Sequence, residues 1–384
     1  MSEGTGSAPP TGLRLDITVA EPPPDRSFRC STASRERGES LVASASTVSR
    51  YLLIEEPGPW GPAVLNCRRL PVPALEACRD WEARLGVRPL LIRRPGRSPD
   101  GPRRVFVVNA AHGWCETTLL DSLDGVAALD LAGVDSPDGI GLTPHGRPLL
   151  LVCTHGRHDA CCAERGRPLA AALAERWPEE VWESSHLGGD RFSANLLALP
   201  GGHCFGRLEP AEGVEAVSRL LDGHLSLDFY RGRSTRPWVA QAAEAEVRRR
   251  LGLTGIDDVA THVVRRGREA AVVEVVAEGA MHTVRVAIGA AEPARLTCGS
   301  AQASRRSAAR STARSRRASP TPEADEGRWT PSCPPPLAGS AGYPIRGPGG
   351  CSGGGDDGAR RSNPRSRRAR PADGRRRCAR GRSP

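Results

Sequence analysis

Lysine is absent from this chain, so all 54 of its basic side chains are guanidinium groups. Aromatic residues make up 4% of the 384 positions and hydrophobic ones 38%, against 43 Gly and 34 Pro. A sequence so poor in large apolar groups and so rich in turn formers does not pack uniformly, and disorder is expected to be part of it. No run of 18 apolar residues occurs, which excludes a membrane-spanning helix. The opening MSEGTGSAPPTG lacks the basic and apolar regions of a secretory signal, so a cytoplasmic protein is expected. A C-x-x-C pair, a G-x-S-x-G elbow and a G-x-G followed by a helix are also missing; Gly139 and Gly141 lie in a Pro-flanked loop. Those gaps argue against dithiol exchange, a hydrolase nucleophile and a dinucleotide site respectively.

The chain is long enough to bury a core without metal or disulfide staples. Its net charge of +10 is unevenly spread: residues 301–384 hold 19 Arg against 6 acids, which leaves the remainder at −3. A nucleic-acid partner, bound non-specifically, is therefore an inference that applies to the tail alone. Twelve Cys in a reducing compartment point to thiols, ligands or redox groups.

Residues 1–27 read as a flexible lead. The unit 28–145 shows a strand at Arg50 to Glu55, a helix from Val72 to Leu85, and strands at Arg88 to Ile92, Arg104 to Asn109 and Trp114 to Leu119. The unit 146–235 returns to that order: the apolar run RPLLLVC, a helix from Gly166 to Trp177, the strand VWESS, a hairpin turning at Pro200, Gly201 and Gly202, and a closing helix from Ala211 to Leu221. The fold class is thus α/β, with tandem thioredoxin-like units. Residues 236–300 add a small α+β module, a charged helix (Val239 to Leu251) and a half-buried β-meander. Residues 301–384 are an Arg/Pro/Gly-rich tail expected to be disordered. It reads either as a polybasic arm or as an out-of-frame translation of a GC-rich gene, the second being the one expected.

The densest chemistry is Cys153-Thr-His155-Gly-Arg-His158-Asp159-Ala-Cys161-Cys162, which leaves an apolar strand and enters a helix. Positive charge at the helix start favours thiolates there. A second loop, Ser185-His186-Leu-Gly-Gly-Asp190-Arg191-Phe192, leaves the next strand at the same end of the sheet, so the two can converge. Two thiolates with nitrogen or oxygen donors suit zinc, and suit equally a [2Fe–2S] cluster held by sulfur on one side and imidazole on the other. The eight residues between Cys153 and Cys162 make a wide loop for one ion. Cys30, Cys67, Cys78 and Cys115 have no paired spacing and read as core or free thiols.

VCTHGRHDACCAERGRPL, VWESSHLGGDRFSANLLALPGGHCFGRL, CSTASRERGESLVASAS and YLLIEEPGPWG together resemble the sucrase/ferredoxin-like family, over about residues 28–300. The resemblance implies a thioredoxin-like domain whose Cys-x8-Cys and His-x3-His pairs bind a [2Fe–2S] cluster. Carried onto this chain it gives Cys153, Cys162 and His186 as ligands, with Asp190 at the second imidazole position. Asp190 is the expected fourth ligand, then Cys161, then Cys204, with His155 and His203 also in reach. One-electron transfer between redox donor and acceptor proteins follows from that reading, with no membrane partner. The alternatives are a structural zinc site and a cofactor-free thioredoxin-like binding module. A glycosidase is not expected, because the adjacent pairs Glu55-Glu56 and Glu179-Glu180 cannot face each other across a cleft.

Overall fold

Strand β1 (Arg50–Glu55), RYLLIE, buries every residue but its first. Tyr51 and Leu53 enter one core, and Leu52 and Ile54 enter another. A strand apolar on both faces belongs in the middle of a sheet. The computed structural model of the protein describes residues 27–96, 101–300, 303–304 and 307–312. Except for Ser27, the expected lead lies outside the described residues. So does the tail and its nucleic-acid reading, apart from positions 303–304 and 307–312.

The described chain begins with α1 (Cys30–Glu36). After β1 come α2 (Val72–Leu85), which ends on Gly86 in the left-handed conformation, then β2 (Val87–Arg93), β3 (Arg103–Asn109), β4 (Trp114–Leu120) and the short β5 (Thr143–Pro144). The second half consists of β6 (Leu149–Cys153), α3 (Ala160–Arg176), β7 (Val181–Ser184), β8 (Leu196–Leu199), β9 (His203–Phe205), α4 (Pro210–Leu221) and β10 (Tyr230–Arg233). All ten strands form one mixed sheet in the order β10-β9-β8-β6-β7-β2-β1-β3-β4-β5. Within each half the arrangement repeats. The first strand has its second as a parallel neighbour and its third as an antiparallel one (β2-β1-β3, β7-β6-β8). The halves meet through β2 and β7, antiparallel, with Ile92 opposite Ser184 and Arg93 opposite Glu183.

The α/β class is the one expected. The start of α3 is not: it begins at Ala160, six residues before the expected Gly166. Gly166 and Pro168 read as helix breakers, but Asp159 caps the helix upstream and Pro168 sits inside it, removing one ladder donor.

The sheet is curled. Phe106 on β3 meets Trp182 on β7 edge to face, with ring centroids 5.7 Å apart, although three strand spacings in a flat sheet would separate their backbones by about 14 Å. The concave interior takes side chains from both halves, among them Leu53, Ile92, Leu151, Trp182 and Leu197. On the other face α2 covers the first half, and α3 with α4 covers the second. In α4, Gly213, Ala216, Val217, Leu220 and Leu221 recur at helical spacing and are buried.

Helix α5 (Trp238–Leu251) packs on a separate antiparallel sheet of β11 (Val259–Arg266), β12 (Ala270–Ala277), β13 (Ala280–Ala290) and β14 (Ser307–Thr312). Alternate residues of β12 and β13 are buried against α5, Val273 beside Val284 and Ala271 beside Val286 on the same face of the sheet. β14 falls within the sequence expected to be tail. Among the described residues no helix is long and apolar enough to cross a membrane.

Candidate metal centre

Cys153 ends β6 and is buried in the concave core. The chain then turns: Gly156 N–H donates to Thr154 O, and the N–H groups of His158 and Asp159 both reach His155 O. Asp159 accepts from Cys161 N–H at 2.9 Å and so starts α3. Gly166 has no side chain, which lets α3 cross the end of β6 in contact with the Cys153 carbonyl. The first turn of the helix therefore lays Cys162 beside Cys153.

The second loop leaves β7. Gly188 and Gly189 have φ of +95° and +81°, a region that a β-carbon disfavours. Two such residues in a row fold the chain back until His186 Nδ1 lies 2.8 Å from Asp190 Oδ1. The separation is short but not aligned, so His186 Nδ1 stays buried without a hydrogen bond. The loop is held from below by Arg231, which donates to Gly188 O and Asn195 Oδ1 at 2.9 and 2.8 Å.

The two loops converge. The ligand atoms of Cys153, Cys162 and His186 all lie within 4.8 Å of one another. Asp190 joins them, its Oδ1 accepting from Cys162 Sγ at 3.1 Å. Cys153, Cys162 and His186 thus form one group, and Asp190, beside Cys162 and His186, forms a second with His186 and His158. His158 was missed. Its ring stacks on that of His186 with centroids 3.7 Å apart, and its Nε2 lies 3.6 Å from Asp190 Oδ2. The only signal for it was its place in a turn three residues after His155. The imidazole side opens on a cavity of about 220 Å³ walled by Val64, Leu65, Pro89, Leu90 and Arg88.

The charges are tightly coupled. The hydrogen bond from Cys162, opposed by burial and aided by His186, holds Cys153 well below the ordinary thiol range. The same bond together with burial holds Cys162 well above it. Burial disfavours charge on His186, yet Asp190 and Cys153 raise it to about 9. Burial also opposes charge on Asp190, but His158 and His186 hold it below the usual carboxylate range. Burial brings the Arg231 guanidinium down to about 10. These shifts favour the anionic forms of Cys153 and Asp190 beside a protonated His186, and a bound metal would take the place of that proton's charge.

The other proposed fourth ligands are occupied elsewhere. His155 Nε2 bonds Gly61 O at 2.6 Å while its Nδ1 accepts from His186 N–H at 3.2 Å, so both nitrogens are used. His203 Nδ1 meets Tyr230 Oη at 3.2 Å, and Cys204 Sγ reaches Gly202 O. Cys161, about 100° round α3 from Cys162, meets Cys298 and Ser31 instead. Cys67, Cys78 and Cys115 are buried in the apolar cores. Cys30 is not a plain core thiol: it lies against Asp159 and Cys298. Glu55 accepts from Arg104 N–H, Glu56 pairs with Arg69, and Glu180 pairs with Arg147.

The donor set fits a metal: two thiols, an imidazole nitrogen and a carboxylate lie side by side, with His186 Nδ1 held only against Asp190. The family described as sucrase/ferredoxin-like matches residues 41–232, half of the sequence, including the two loops but neither Cys30 nor Cys298. No curated protein and no solved structure matches.

Proposed function

The chain belongs to the sucrase/ferredoxin-like family, and we propose that it is an electron-transfer protein holding a [2Fe–2S] cluster on Cys153, Cys162, His186 and Asp190. The observation that carries this reading is the meeting of two thiols from one loop with an imidazole and a carboxylate from another. The repeated strand order β2-β1-β3-β4 and β7-β6-β8-β9 supports a thioredoxin-like layer in each half. When bound, such a cluster takes up and returns one electron at a time.

The protein's own groups shape that exchange. Cys153 and Cys162 are buried and keep water from the sulfur side. The side chains of His186 and His158 are 24% and 32% exposed, so the imidazole side is the edge nearest a redox partner. The apolar wall of Val64, Leu65, Pro89 and Leu90, with Arg88 at its margin, is the surface such a partner would cover. Asp190 brings a negative charge where a second imidazole would bring none, which favours the oxidised state and sets the potential lower than with two histidines. His158 lies outside Asp190 and orients it. The buried Arg231 guanidinium partly offsets the anionic charge.

Anaerobic purification of the full chain tests this. The expected product is red-brown, with iron and acid-labile sulfide near two each per chain, and gives an EPR signal after dithionite. Colourless protein that stays colourless after reconstitution with iron and sulfide would overturn it.

A further inference from the structure

Three cysteines outside the centre described above meet a carboxylate. Cys298 Sγ lies 3.4 Å from Cys161 Sγ and 3.7 Å from Cys30 Sγ. Cys30 Sγ lies 3.6 and 3.7 Å from the two oxygens of Asp159. The ligand atoms of all four residues fall within 4.8 Å of one another. They come from the start of α1, the start of α3 and the loop after β13, with Cys30 and Cys298 standing 268 positions apart. Cys30, Cys161 and Asp159 are buried, and Cys298 is part-exposed.

We propose that Cys30, Asp159, Cys161 and Cys298 form a second metal site that takes one zinc ion and clasps both flanks of the family-matched region onto α3. Tetrahedral zinc with Zn–S near 2.3 Å and Zn–O near 2.0 Å puts sulfurs about 3.8 Å apart and sulfur about 3.5 Å from oxygen. The observed separations are close to both values. A disulfide would join only two of the three thiols, would need a sulfur–sulfur distance of about 2.05 Å, and would leave the third thiol and the carboxylate unexplained.

Asp159 has the character of a ligand held in place. It is 3% exposed and pairs with no guanidinium among the described residues. Its oxygens accept instead from Cys161 N–H and from Cys298 N–H, the latter at 2.6 Å. Such bonds orient a coordinating carboxylate and leave each oxygen a lone pair. Three thiolates and a carboxylate around a divalent ion leave a net negative charge. Arg165, which reaches Ser31 Oγ at 2.9 Å, and Arg295, on Cys298 O at 3.4 Å, stand close enough to moderate it. The N-terminus of α3 adds to that effect. The thiol protons leave to solvent as the ion enters.

The clasp also bears on the first centre. The residues that follow Cys30 lead to Glu39, which pairs with Arg191 in the Asp190 loop at 2.7 Å. Securing α1 steadies that loop from outside.

Full-length protein from zinc-supplemented cells tests the site by elemental analysis and zinc-edge X-ray absorption. About one zinc per chain is expected, with three sulfurs near 2.3 Å and one oxygen. Cys298→Ser should lose that zinc and keep its iron, whereas Cys153→Ser should lose iron and keep zinc. The two readings therefore fail separately. Titration of the metal-free Cys153→Ser chain, whose first centre lacks a thiolate, with cobalt should give thiolate charge-transfer and tetrahedral d–d absorption saturating near one equivalent, and this holds the test open should Cys298→Ser not fold. Cys153→Ser protein that takes up neither zinc nor cobalt, zinc with three-sulfur ligation that persists in Cys298→Ser, or an intact mass about two daltons below the all-thiol chain through a Cys161–Cys298 bond would each overturn the site.

Discussion

Gly166 passes so close to Cys153 that a β-carbon built on the glycine would lie 2.0 Å from the cysteine's carbonyl oxygen. That oxygen belongs to the strand end from which the first thiol projects, and Gly166 belongs to the helix that delivers the second. The separation of the two sulfurs therefore depends on a residue with no side chain.

Gly166→Ala tests this dependence. The obstacle is backbone, so α3 must move away from β6, and overpacking of this kind costs about 1–3 kcal/mol. Urea unfolding should show that loss. Metal content after anaerobic purification should fall further than the stability change alone explains, because Cys162 leaves with the helix.

Asp190→His replaces a carboxylate with a neutral ligand. Iron retention through gel filtration should rise, and the reduction potential, followed by a dye-mediated titration, should rise on the order of 100 mV. A lower or unchanged potential would mean that Asp190 carries no share of the cluster's charge.

His203, outside both groups of candidate metal ligands, gives a pH dependence of its own. Burial pushes its pKa well below the ordinary histidine value, with Arg233, Arg236 and Arg248 acting in the same sense. Above about pH 6.5 the ring is neutral in both the folded and unfolded chains and contributes no slope. Below that, the unfolded chain takes up a proton that the folded one refuses, so stability falls with pH by up to about 1.4 kcal/mol per unit. Urea midpoints between pH 7 and 5 should fall less steeply in His203→Asn than in the wild type.

What could be read from the sequence was what local pattern encodes. RYLLIE and LLLVC announce buried strands by their unbroken apolar runs, and Pro200, Gly201 and Gly202 announce the hairpin. The loops carrying Cys153, Cys162, His186 and Asp190 stood out because their polar residues follow directly on apolar strands. The start of α3 was misplaced because Gly166, a breaker by propensity, is there to let two backbones touch. Cys30 reads as a core or free thiol and Cys298 gives no signal, since nothing local marks thiols that meet across 268 positions. Arg231 gave no signal either: a buried guanidinium that bonds carbonyl and amide oxygens rather than an acid leaves no charge pattern behind.

The edge-to-edge joining of β2 and β7 has a consequence for how this protein can be divided. The ladder there pairs Ile92 with Ser184 and Arg93 with Glu183, with Leu91 and Ser185 bonded beside it, and the hollow beneath is filled from both sides, Gly61 and Pro62 of the first half holding the rings of His155 and His158. The half bearing the candidate ligands thus borrows part of its inner wall from the half that has none. Neither half can drift freely, and a second half cut out at residue 146 would be left with a torn interior and two unmoored imidazoles.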